Sequence, residues 1–395
     1  MQNLKTQSLK NMRVLVRVDF NVPLNDSQEI TDISRISAAI PTIKKVIVNG
    51  GIPIIISHLG RPKCKDSTLS LYPVAKKLAK IMNKNVIFLD DCIGEKVKSK
   101  LSSSTYGEIY LLENLRFYKE ETQGDLVFAK KLSDLADIYV NDAFGTAHRS
   151  HASTAIIANF FPKNKYFGLL LYKELENLKR ALENPKKPFT AIIGGAKVSG
   201  KIDVIQSLFN KVDNLIIGGG MAYTFAKAVG GSIGKSLVED DKLDLARKLI
   251  AASKEKGVNL ILPIDSVNAN RFNNDAKIIK SNISNINQEY IGMDIGTKSI
   301  EKFSEIILKS KTIVWNGPMG VFEMQNFQAG TKLVGEAICK ATKNGAFSLV
   351  GGGDSVSAVN QFKFSKEITY LSTGGGAMLE FLEGKKLPGV EAILD

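Results

Sequence analysis

This sequence is poor in the residues that mark disulfide-rich, zinc-binding and membrane proteins. It has three cysteines, three histidines and one tryptophan among 395 residues. Cys64, Cys92 and Cys339 are far apart and outside any CxxC spacing, which argues against a disulfide framework or a zinc site. No apolar run approaches the roughly 18–20 residues that span a bilayer, and the amino terminus lacks the apolar core of a signal peptide. We therefore expect a cytoplasmic protein with no membrane segment.

Acidic residues are outnumbered by basic ones, and the net charge is +13. Such a charge is typical of proteins that bind nucleic acid, anionic membranes or small anionic substrates. The surplus is spread along the chain, with no dense block of Lys and Arg and no basic helix bearing aromatic residues. A nucleic-acid-binding protein would show such clusters, so this alternative is disfavoured.

Short apolar runs alternate with amphipathic stretches from one end of the chain to the other. Alternation of this kind predicts parallel sheets covered by helices on both faces, and the length predicts two domains. We therefore predict an α/β protein with two doubly wound, Rossmann-like parallel-sheet domains. The predicted strands are Val14–Val18, Pro53–Ser57, Val86–Leu89, Ile109–Leu112, Ile138–Asn141, Thr190–Ile193, Leu215–Ile217, Leu260–Pro263, Thr312–Trp315, Phe347–Val350 and Thr369–Leu371.

The segment Tyr172–Pro188 is the predicted connection between the two domains. Leu175, Leu178 and Leu182 lie along one helical stripe, and two prolines after Asn184 then break the helix. A helix between domains gives a stiff connection with flexible ends. We predict an N-terminal domain over residues 1–171, a hinge helix over 172–188 and a C-terminal domain over 189–386.

Four apolar runs in the second half of the chain end in a glycine cluster. Glycine lets the backbone turn sharply and approach a ligand, and a helix start offers unpaired N–H groups to an anion. One such site has roughly even odds of being a plain turn, but four at predicted strand ends indicate one phosphate-rich ligand. The runs are Phe189–Lys197, Asn214–Gly220, Ala346–Asp354 and Ile368–Gly376.

Arginine is scarce, and most of it lies before residue 150. A guanidinium group holds carboxylate or phosphate through paired hydrogen bonds. Arg61, Arg116 and Arg149 each follow a predicted strand, and several arginines at successive strand ends favour a basic pocket over isolated surface salt bridges. Arg13 and Arg17, inside or beside the first strand, are interpreted as structural.

Other polar residues join these arginines at strand and helix ends. Asp19 and Asn21 follow the first strand, and Arg35 lies at a predicted helix start. His58 lies between a strand end and the Gly-Arg pair that follows, so we place it on a ligand. The residue type alone also allows phosphorylation of a histidine, although nothing in the sequence requires it.

The second half also carries residues suited to nucleotide phosphates. Lys197 and Lys201 are four residues apart and would share one face if a helix begins at the first glycine cluster. Asp354 and Ser355 supply a carboxylate and a hydroxyl of the kind that hold Mg²⁺ beside phosphates. Glu323 follows another strand end and is suited to ribose hydroxyls.

Ten longer stretches, spread over almost the whole chain, combine these residues. They are Arg17-Val-Asp-Phe-Asn-Val-Pro23, Ser57-His-Leu-Gly-Arg-Pro62, Glu113-Asn-Leu-Arg-Phe117, Tyr139-Val-Asn-Asp-Ala-Phe-Gly-Thr-Ala-His-Arg149, Gly194-Gly-Ala-Lys-Val198, Ile217-Gly-Gly-Gly-Met221, Trp315-Asn-Gly-Pro318, Gly351-Gly-Gly-Asp354, Ser372-Thr-Gly-Gly-Gly-Ala377 and Leu387-Pro-Gly-Val390. In these stretches the chain closely resembles the phosphoglycerate kinase family. The stretches are long and in the same order, so a chance match is negligible. Ser355 stands where the family usually has threonine and keeps the hydroxyl.

The resemblance implies that 3-phosphoglycerate binds the N-terminal domain and Mg²⁺ with ADP or ATP binds the C-terminal domain. It also implies that residues 387–395 return to pack on the N-terminal domain. The residues implied around phosphoglycerate are Asp19, Asn21, Arg35, His58, Arg61, Arg116 and Arg149. Those implied around the nucleotide are Lys197, Lys201, Gly292, Asn316, Glu323, Gly352, Gly353, Asp354 (also the metal ligand), Ser355, Gly374 and Gly376.

The implied reaction is phosphoryl transfer between 1,3-bisphosphoglycerate and ADP, a step of glycolysis and gluconeogenesis. The acceptor in the reverse direction is an ionised carboxylate, so no general base is required. The transition state needs in-line positioning and neutralisation of its oxygens, for which we assign Arg35, Lys197 and the helix start at Gly375. A catalytically inactive scaffold is disfavoured because all these residues are present. We expect a monomer that binds neither nucleic acid nor membrane.

Overall fold

The structure is a computed structural model that describes Leu4 and residues 8–395. Its residue contacts divide the chain into two units. The N-terminal unit comprises the described residues up to Glu176 together with Lys386–Asp395, and the C-terminal unit comprises Asn177–Lys385. Within the described part of the chain, no helix has the length and apolar character needed to cross a membrane.

A parallel sheet of six strands forms the centre of the N-terminal unit. The strands are β1 (Arg13–Arg17), β2 (Ile52–Ile56), β3 (Ile87–Leu89), β4 (Tyr110–Leu112), β5 (Ile138–Asn141) and β6 (Lys165–Phe167), in the order β3-β4-β2-β1-β5-β6. The helices are α1 (Ser34–Val48), α2 (Tyr72–Met82), α3 (Glu95–Ser102), α4 (Lys119–Gln123) and α5 (Leu126–Ser133). Every residue of β2 is buried, so both faces of the sheet are covered.

The helix α6 (Leu169–Leu182) crosses the division between the two units, which falls between Glu176 and Asn177. At its first turn, the buried Asp142 Oδ1 accepts hydrogen bonds from the N–H groups of Leu170 at 2.9 Å and Leu171 at 3.2 Å. Near its other end, the Arg180 guanidinium lies 4.4 Å from the centre of the Phe347 ring. Each end of α6 is thus fixed within its own unit.

The C-terminal unit is built on a second parallel sheet of six strands. The strands of the unit are β7 (Phe189–Ile193), β8 (Asn214–Ile217), β9 (Ser232–Ile233), β10 (Asn259–Ile261), β11 (Asp265–Ala269), β12 (Ile278–Asn282), β13 (Asn285–Ile286), β14 (Ile291–Ile295), β15 (Thr312–Asn316), β16 (Phe347–Val350) and β17 (Tyr370–Leu371). The parallel sheet has the order β10-β8-β7-β15-β16-β17. Its helices are α7 (Ile202–Leu208), α8 (Met221–Ala228), α9 (Leu243–Glu255), α10 (Thr297–Lys309), α11 (Ala329–Lys343), α12 (Gly353–Gln361) and α13 (Gly375–Leu382). The last helix, α14 (Pro388–Leu394), belongs to the N-terminal unit.

The prediction of two parallel-sheet domains is confirmed, and each predicted strand is present to within about one or two residues. Other strands were missed. β6 is three residues long and begins with a lysine, and β11, β12 and β14 form an antiparallel sheet of three strands. Because three of the five residues in each of β11 and β12 are polar, these strands lack the continuous apolar run that marks a buried parallel strand.

Candidate functional site

The two parallel sheets each bring one group of loops together at their carboxyl ends. In the N-terminal unit β1 and β5 are neighbours, and the chain runs from β1 to β2 and from β5 to β6, in opposite directions along the sheet. In the C-terminal unit the same holds for β7 and β15, which lead to β8 and β16. Crevices open at these switch points, and ligands of doubly wound proteins bind there. The segments at the carboxyl ends of the strands of these two sheets contain most of the residues that the sequence analysis selected.

Arg35 and Asp19 form an ion pair at the switch point of the N-terminal unit. The Arg35 Nη1 atom lies 2.7 Å from Asp19 Oδ2. Arg35 is at the first turn of α1, as predicted, and the Asp32 carboxylate accepts from the Ser34 N–H at 2.7 Å just before it. The Arg35 side chain is 39% exposed, so its remaining N–H groups are accessible to a ligand.

A second set of contacts joins the loops that follow β1, β2 and β4. The Gly60 N–H donates to Asn21 Oδ1 at 2.8 Å, and the Arg116 Nη1 atom donates to the Gly60 carbonyl at 2.7 Å. The side chains of Arg61 and Arg149 are exposed. We call Arg35, Arg61, Arg116, Arg149 and His58, with Asp19 and Asn21, the arginine cluster.

His58 is buried and rests on a second buried side chain, Arg17. The Arg17 Nη2 atom lies 3.2 Å from His58 Nδ1, and its Nε atom donates to Ser153 Oγ at 2.8 Å. Because a guanidinium only donates, His58 Nδ1 accepts, and the proton of the neutral ring is on Nε2. The sequence analysis treated Arg17 as structural and missed this contact. A charged residue at the last position of a buried strand was the available signal.

The electrostatics of the arginine cluster disfavour additional positive charge. Burial lowers the pKa of His58 well below its ordinary value, and the guanidinium groups of Arg17, Arg116 and Arg35 lower it further. Burial also lowers the pKa of Arg116, to about 10, and Arg17 adds to this effect. His58 is therefore a neutral donor among cations, and the cluster is suited to an anion.

The pH dependence of stability tests this electrostatic environment. Burial, with Arg116 and Arg17, lowers the pKa of His151 to about 4. As the pH falls, His151 therefore binds a proton in the unfolded chain before it does so in the folded chain. The contribution of His151 to the free energy of unfolding is complete above about pH 6.5 and is lost as the pH falls towards 4. We expect the free energy of unfolding to fall less over this range in His151→Gln than in the wild type.

Urea unfolding of both proteins between about pH 7.5 and pH 4.5 measures this difference. Asp142 and Asp294, whose pKa burial raises to about 7, act in the opposite direction in both proteins. The difference between the two proteins therefore isolates His151. Identical pH dependence in the two proteins contradicts the assignment.

In the C-terminal unit, residues at the ends of four neighbouring strands, β7, β15, β16 and β17, line a cavity of about 340 Å³. We call it the glycine cavity. The cavity contains the starts of two helices, α12 at Gly353 and α13 at Gly375, whose first N–H groups have no partner within the helix. Such helix starts attract phosphate. The lining residues are Gly194, Gly195, Ala196, Lys197, Lys201, Asn316, Gly317, Gly352, Gly353, Asp354, Ser355, Gly375, Gly376 and Leu379.

Asn316, at the end of β15, connects the loops of the glycine cavity. Its Oδ1 atom accepts from Lys201 Nζ, and its Nδ2 atom donates to the Gly351 carbonyl at 2.8 Å. The buried Ser355 Oγ accepts from the Gly317 N–H at 2.6 Å. Gly352 has a φ of +99°, a left-handed conformation that favours glycine. These bonds fix the loops before any ligand arrives.

The prediction that a helix begins at the first glycine cluster, with Lys197 and Lys201 on one face, is wrong. The helix α7 begins only at Ile202, and Lys201 N donates to the Val198 carbonyl in a turn. The N–H of Ser199 donates to the Glu239 carboxylate at 3.0 Å, a tertiary bond that replaces a helical one. Both lysines nevertheless line the glycine cavity. Burial lowers the pKa of Lys201, against the effect of the Asp354 carboxylate.

Three residues predicted for the nucleotide are not among those that line the glycine cavity: Gly292, Glu323 and Gly374. Gly374 precedes the first residue of α13, and Glu323 is exposed. An added Cβ at Gly292 would overlap the ring of Tyr223, so packing alone requires a glycine there. The cluster Gly218–Gly220 also lies outside the lining and packs against Gly195. The sequence analysis placed all four glycine clusters around one ligand, and three line the cavity.

Asp354 is the residue of the glycine cavity that suits a magnesium ion. Its side chain is exposed at the first turn of α12. No cluster of three or more His, Cys, Asp or Glu side chains able to hold a metal occurs among Leu4 and residues 8–395. Mg²⁺ commonly takes one or two carboxylates and completes its shell with phosphate oxygens and water. One carboxylate in a cavity suited to phosphates therefore fits this ion.

Comparisons with known proteins agree with this geometry. The family profile described as phosphoglycerate kinase matches residues 4–385. A phosphoglycerate kinase of Porphyromonas gingivalis is 53% identical over 96% of this chain and 97% of its own length. One of Dictyoglomus turgidum is also 53% identical, over 100% of this chain and 98% of its own.

Solved structures are similar as well. The phosphoglycerate kinase of Coxiella burnetii has a TM-score of 0.89 and 42% identity, with 98% of this chain and 97% of that chain covered. The enzyme of Pyrococcus horikoshii OT3 has a TM-score of 0.83 and 32% identity, with 100% and 98% covered. The chain belongs to the phosphoglycerate kinase family.

Proposed function

We propose that this chain is a phosphoglycerate kinase that transfers a phosphoryl group reversibly between 1,3-bisphosphoglycerate and Mg-ADP. The products are 3-phosphoglycerate and ATP, and the reaction serves glycolysis and gluconeogenesis in the cytoplasm. The observation that carries the proposal is the pairing of two anion sites, each at the switch point of its own sheet. One is built from arginines and the other from glycines and helix starts.

The arginine cluster binds the phosphoglycerate. A three-carbon acid phosphate offers a carboxylate and a phosphate, and planar guanidinium groups bind both through paired hydrogen bonds. His58 adds a neutral Nε2–H donor, because Arg17 occupies Nδ1. Asp19 and Asn21 hold Arg35 and Gly60 in position, and the Asn21 amide retains N–H groups for a substrate hydroxyl.

The glycine cavity binds the nucleotide phosphates. The helix starts at Gly353 and Gly375 present N–H groups, and Lys197 and Lys201 supply positive charge. Asp354 would hold Mg²⁺, which neutralises phosphate charge when bound. We propose that Glu323 and Gly292 contact the nucleoside, outside the lined cavity. Gly374 and Gly376 complete the helix start at Gly375.

The chemistry requires positioning and charge neutralisation, not proton transfer. The attacking group in one direction is a carboxylate of phosphoglycerate and in the other a phosphate oxygen of ADP, and both are ionised at neutral pH. Arg35, Lys197 and the N–H groups at Gly375 stabilise the equatorial oxygens of the phosphoryl group in transit. No side chain has to act as a general base.

A coupled assay tests the proposed function. The intact chain with 3-phosphoglycerate and Mg-ATP is expected to form ADP and 1,3-bisphosphoglycerate, which a dehydrogenase reduces with consumption of NADH. Omission of 3-phosphoglycerate or removal of Mg²⁺ with EDTA is expected to stop turnover. Absence of turnover in the folded, complete mixture refutes the proposal.

We further propose that α6 is part of a hinge that brings the two bound substrates together. In-line transfer needs the reacting oxygens within about 3–3.5 Å, with water excluded. We therefore expect both substrates together to reduce the radius of gyration more than either alone, as measured by X-ray scattering. The forward scattering is expected to correspond to one chain of 43.1 kDa. Unchanged scattering under conditions of confirmed turnover contradicts the hinge.

A further inference from the structure

The C-terminal helix α14 makes backbone contact with the loop that ends in Arg149. The Gly389 N–H donates to the Ala147 carbonyl at 2.8 Å, and the Gly389 carbonyl accepts from Asn141 Nδ2 at 3.1 Å. An added Cβ at Gly389 would lie 3.2 Å from Ala147 Cα, from the Ala147 carbonyl oxygen and from Asn141 Nδ2. These neighbours are backbone atoms and a buried amide, so they cannot easily move away. We call Asn141, Ala147 and Gly389 the latch.

Asn141, the last residue of β5, joins α14 to two further segments. Its Nδ2 atom also donates to the Thr154 carbonyl at 3.2 Å, and its Oδ1 atom accepts from the Ala143 N–H at 3.2 Å. The side chain is fully buried. Because its donors and its acceptor are all engaged, a change in the position of α14 is transmitted to both segments.

The backbone of Arg149 is held by the same segments. Its N–H donates to the Thr146 carbonyl at 3.0 Å, next to the latch residue Ala147. Its carbonyl accepts from Thr154 Oγ1 at 2.9 Å, and the Thr154 carbonyl is bound by Asn141. The Arg149 side chain is exposed. The latch and its neighbours therefore fix the backbone from which the Arg149 side chain extends.

We propose that the latch positions Arg149, so that docking of α14 sets the affinity of the enzyme for phosphoglycerate. The inference rests on the proposed role of Arg149 in binding this substrate. A long, flexible cation binds an anion more tightly when its anchor is fixed in advance, because less conformational freedom is lost on binding. Asn141 and Gly389 are positioning residues that act through Arg149.

The alternative is that α14 only stabilises the N-terminal unit. Leu387, Val390 and Ile393 are buried on it, and the helix packs against β6 and the short turn Ile156–Phe160. Loss of these contacts would weaken the whole unit and every ligand site in it. The experiment therefore has to separate an effect through Arg149 from a general loss of structure.

Calorimetric titration of the intact chain with 3-phosphoglycerate provides the first comparison. Gly389→Ala and Thr154→Val disturb the latch and the Arg149 carbonyl bond, and Leu394→Ala changes an exposed side chain of the same helix as a control. We expect the Kd for 3-phosphoglycerate to rise on the order of tenfold in the first two variants only. The Kd for Mg-ADP is expected to stay within about twofold of the wild type in all three.

A double-mutant cycle with Arg149→Ala then decides the mechanism. If the latch acts through Arg149, Gly389→Ala has no further effect on the Kd for 3-phosphoglycerate in the Arg149→Ala background. An equal further loss in that background overturns the proposal. Should Gly389→Ala fail to fold, Thr154→Val carries the same cycle. A wild-type chain that binds no 3-phosphoglycerate refutes the proposed function itself, whereas an additive cycle in a binding-competent chain refutes only the latch.

Discussion

Lys197→Ala is expected to lower kcat by on the order of 10²-fold or more while the chain stays folded. Lys197 is exposed at the wall of the glycine cavity, beside the helix starts at Gly353 and Gly375. In the proposed mechanism its ammonium group follows the phosphoryl group as negative charge is redistributed in the transition state. Because that interaction strengthens in the transition state, its loss reduces kcat more than it raises the KM for ATP.

Steady-state kinetics at saturating substrates measure this effect, with Lys197→Arg and Lys248→Ala as comparisons. Lys197→Arg keeps the charge and is expected to retain part of the activity. Lys248 is an exposed lysine of α9, and its removal is expected to leave kcat unchanged. A kcat near that of the wild type in Lys197→Ala would remove Lys197 from the mechanism.

Arg35→Ala is expected to lower kcat by a similar factor, on the order of 10²-fold. The substitution removes a cation from the arginine cluster and leaves the Asp19 carboxylate without its ion-pair partner at the proposed phosphoglycerate site. Two causes are therefore combined: loss of charge stabilisation and new repulsion. The double variant Arg35→Ala/Asp19→Asn separates them, since it removes the repulsion.

We expect the double variant to bind 3-phosphoglycerate more tightly than Arg35→Ala does, whereas its kcat stays as low as that of Arg35→Ala. Recovery of kcat would show that Arg35 only neutralises Asp19. A matched control is Arg13→Ala, which breaks another Arg–Asp pair, Arg13 with Asp137 at 2.7 Å, at the start of β1. That pair lies at the opposite end of the strand from the arginine cluster, so its loss is expected to leave kcat unchanged.

The sequence predicted the parallel sheets well because their strands are short, apolar and buried. Trp315 ends the predicted strand Thr312–Trp315, and the structure buries it completely, with its Nε1 atom donating to the Gly317 carbonyl. Strand ends were equally informative, since parallel strands place their carboxyl ends at one edge of a sheet. This geometry brought Lys197, Asn316 and Asp354 into one cavity although they are distant from one another in the sequence.

Tertiary contacts explain what the sequence did not reveal. Val198, Ser199 and Gly200 have low helix propensity, and the hydrogen bonds of Ser199 to Glu239 hold this segment in a turn. Arg17 was interpreted as a structural residue of the strand because its contact with His58 is a tertiary one, which the sequence does not show. Gly292 was assigned to a ligand, whereas the ring of Tyr223 behind it already requires a glycine.

Calorimetry with two variants of the intact chain tests the central claim, that the arginine cluster takes phosphoglycerate and the glycine cavity takes the nucleotide. Arg61→Ala and Asp354→Ala both change exposed side chains, one in each site. We expect Arg61→Ala to raise the Kd for 3-phosphoglycerate by about tenfold or more and to leave Mg-ADP binding unchanged, and Asp354→Ala to do the reverse. The account would be contradicted if either substitution weakened the binding of both ligands, or if Arg61→Ala weakened only Mg-ADP binding and Asp354→Ala weakened only 3-phosphoglycerate binding.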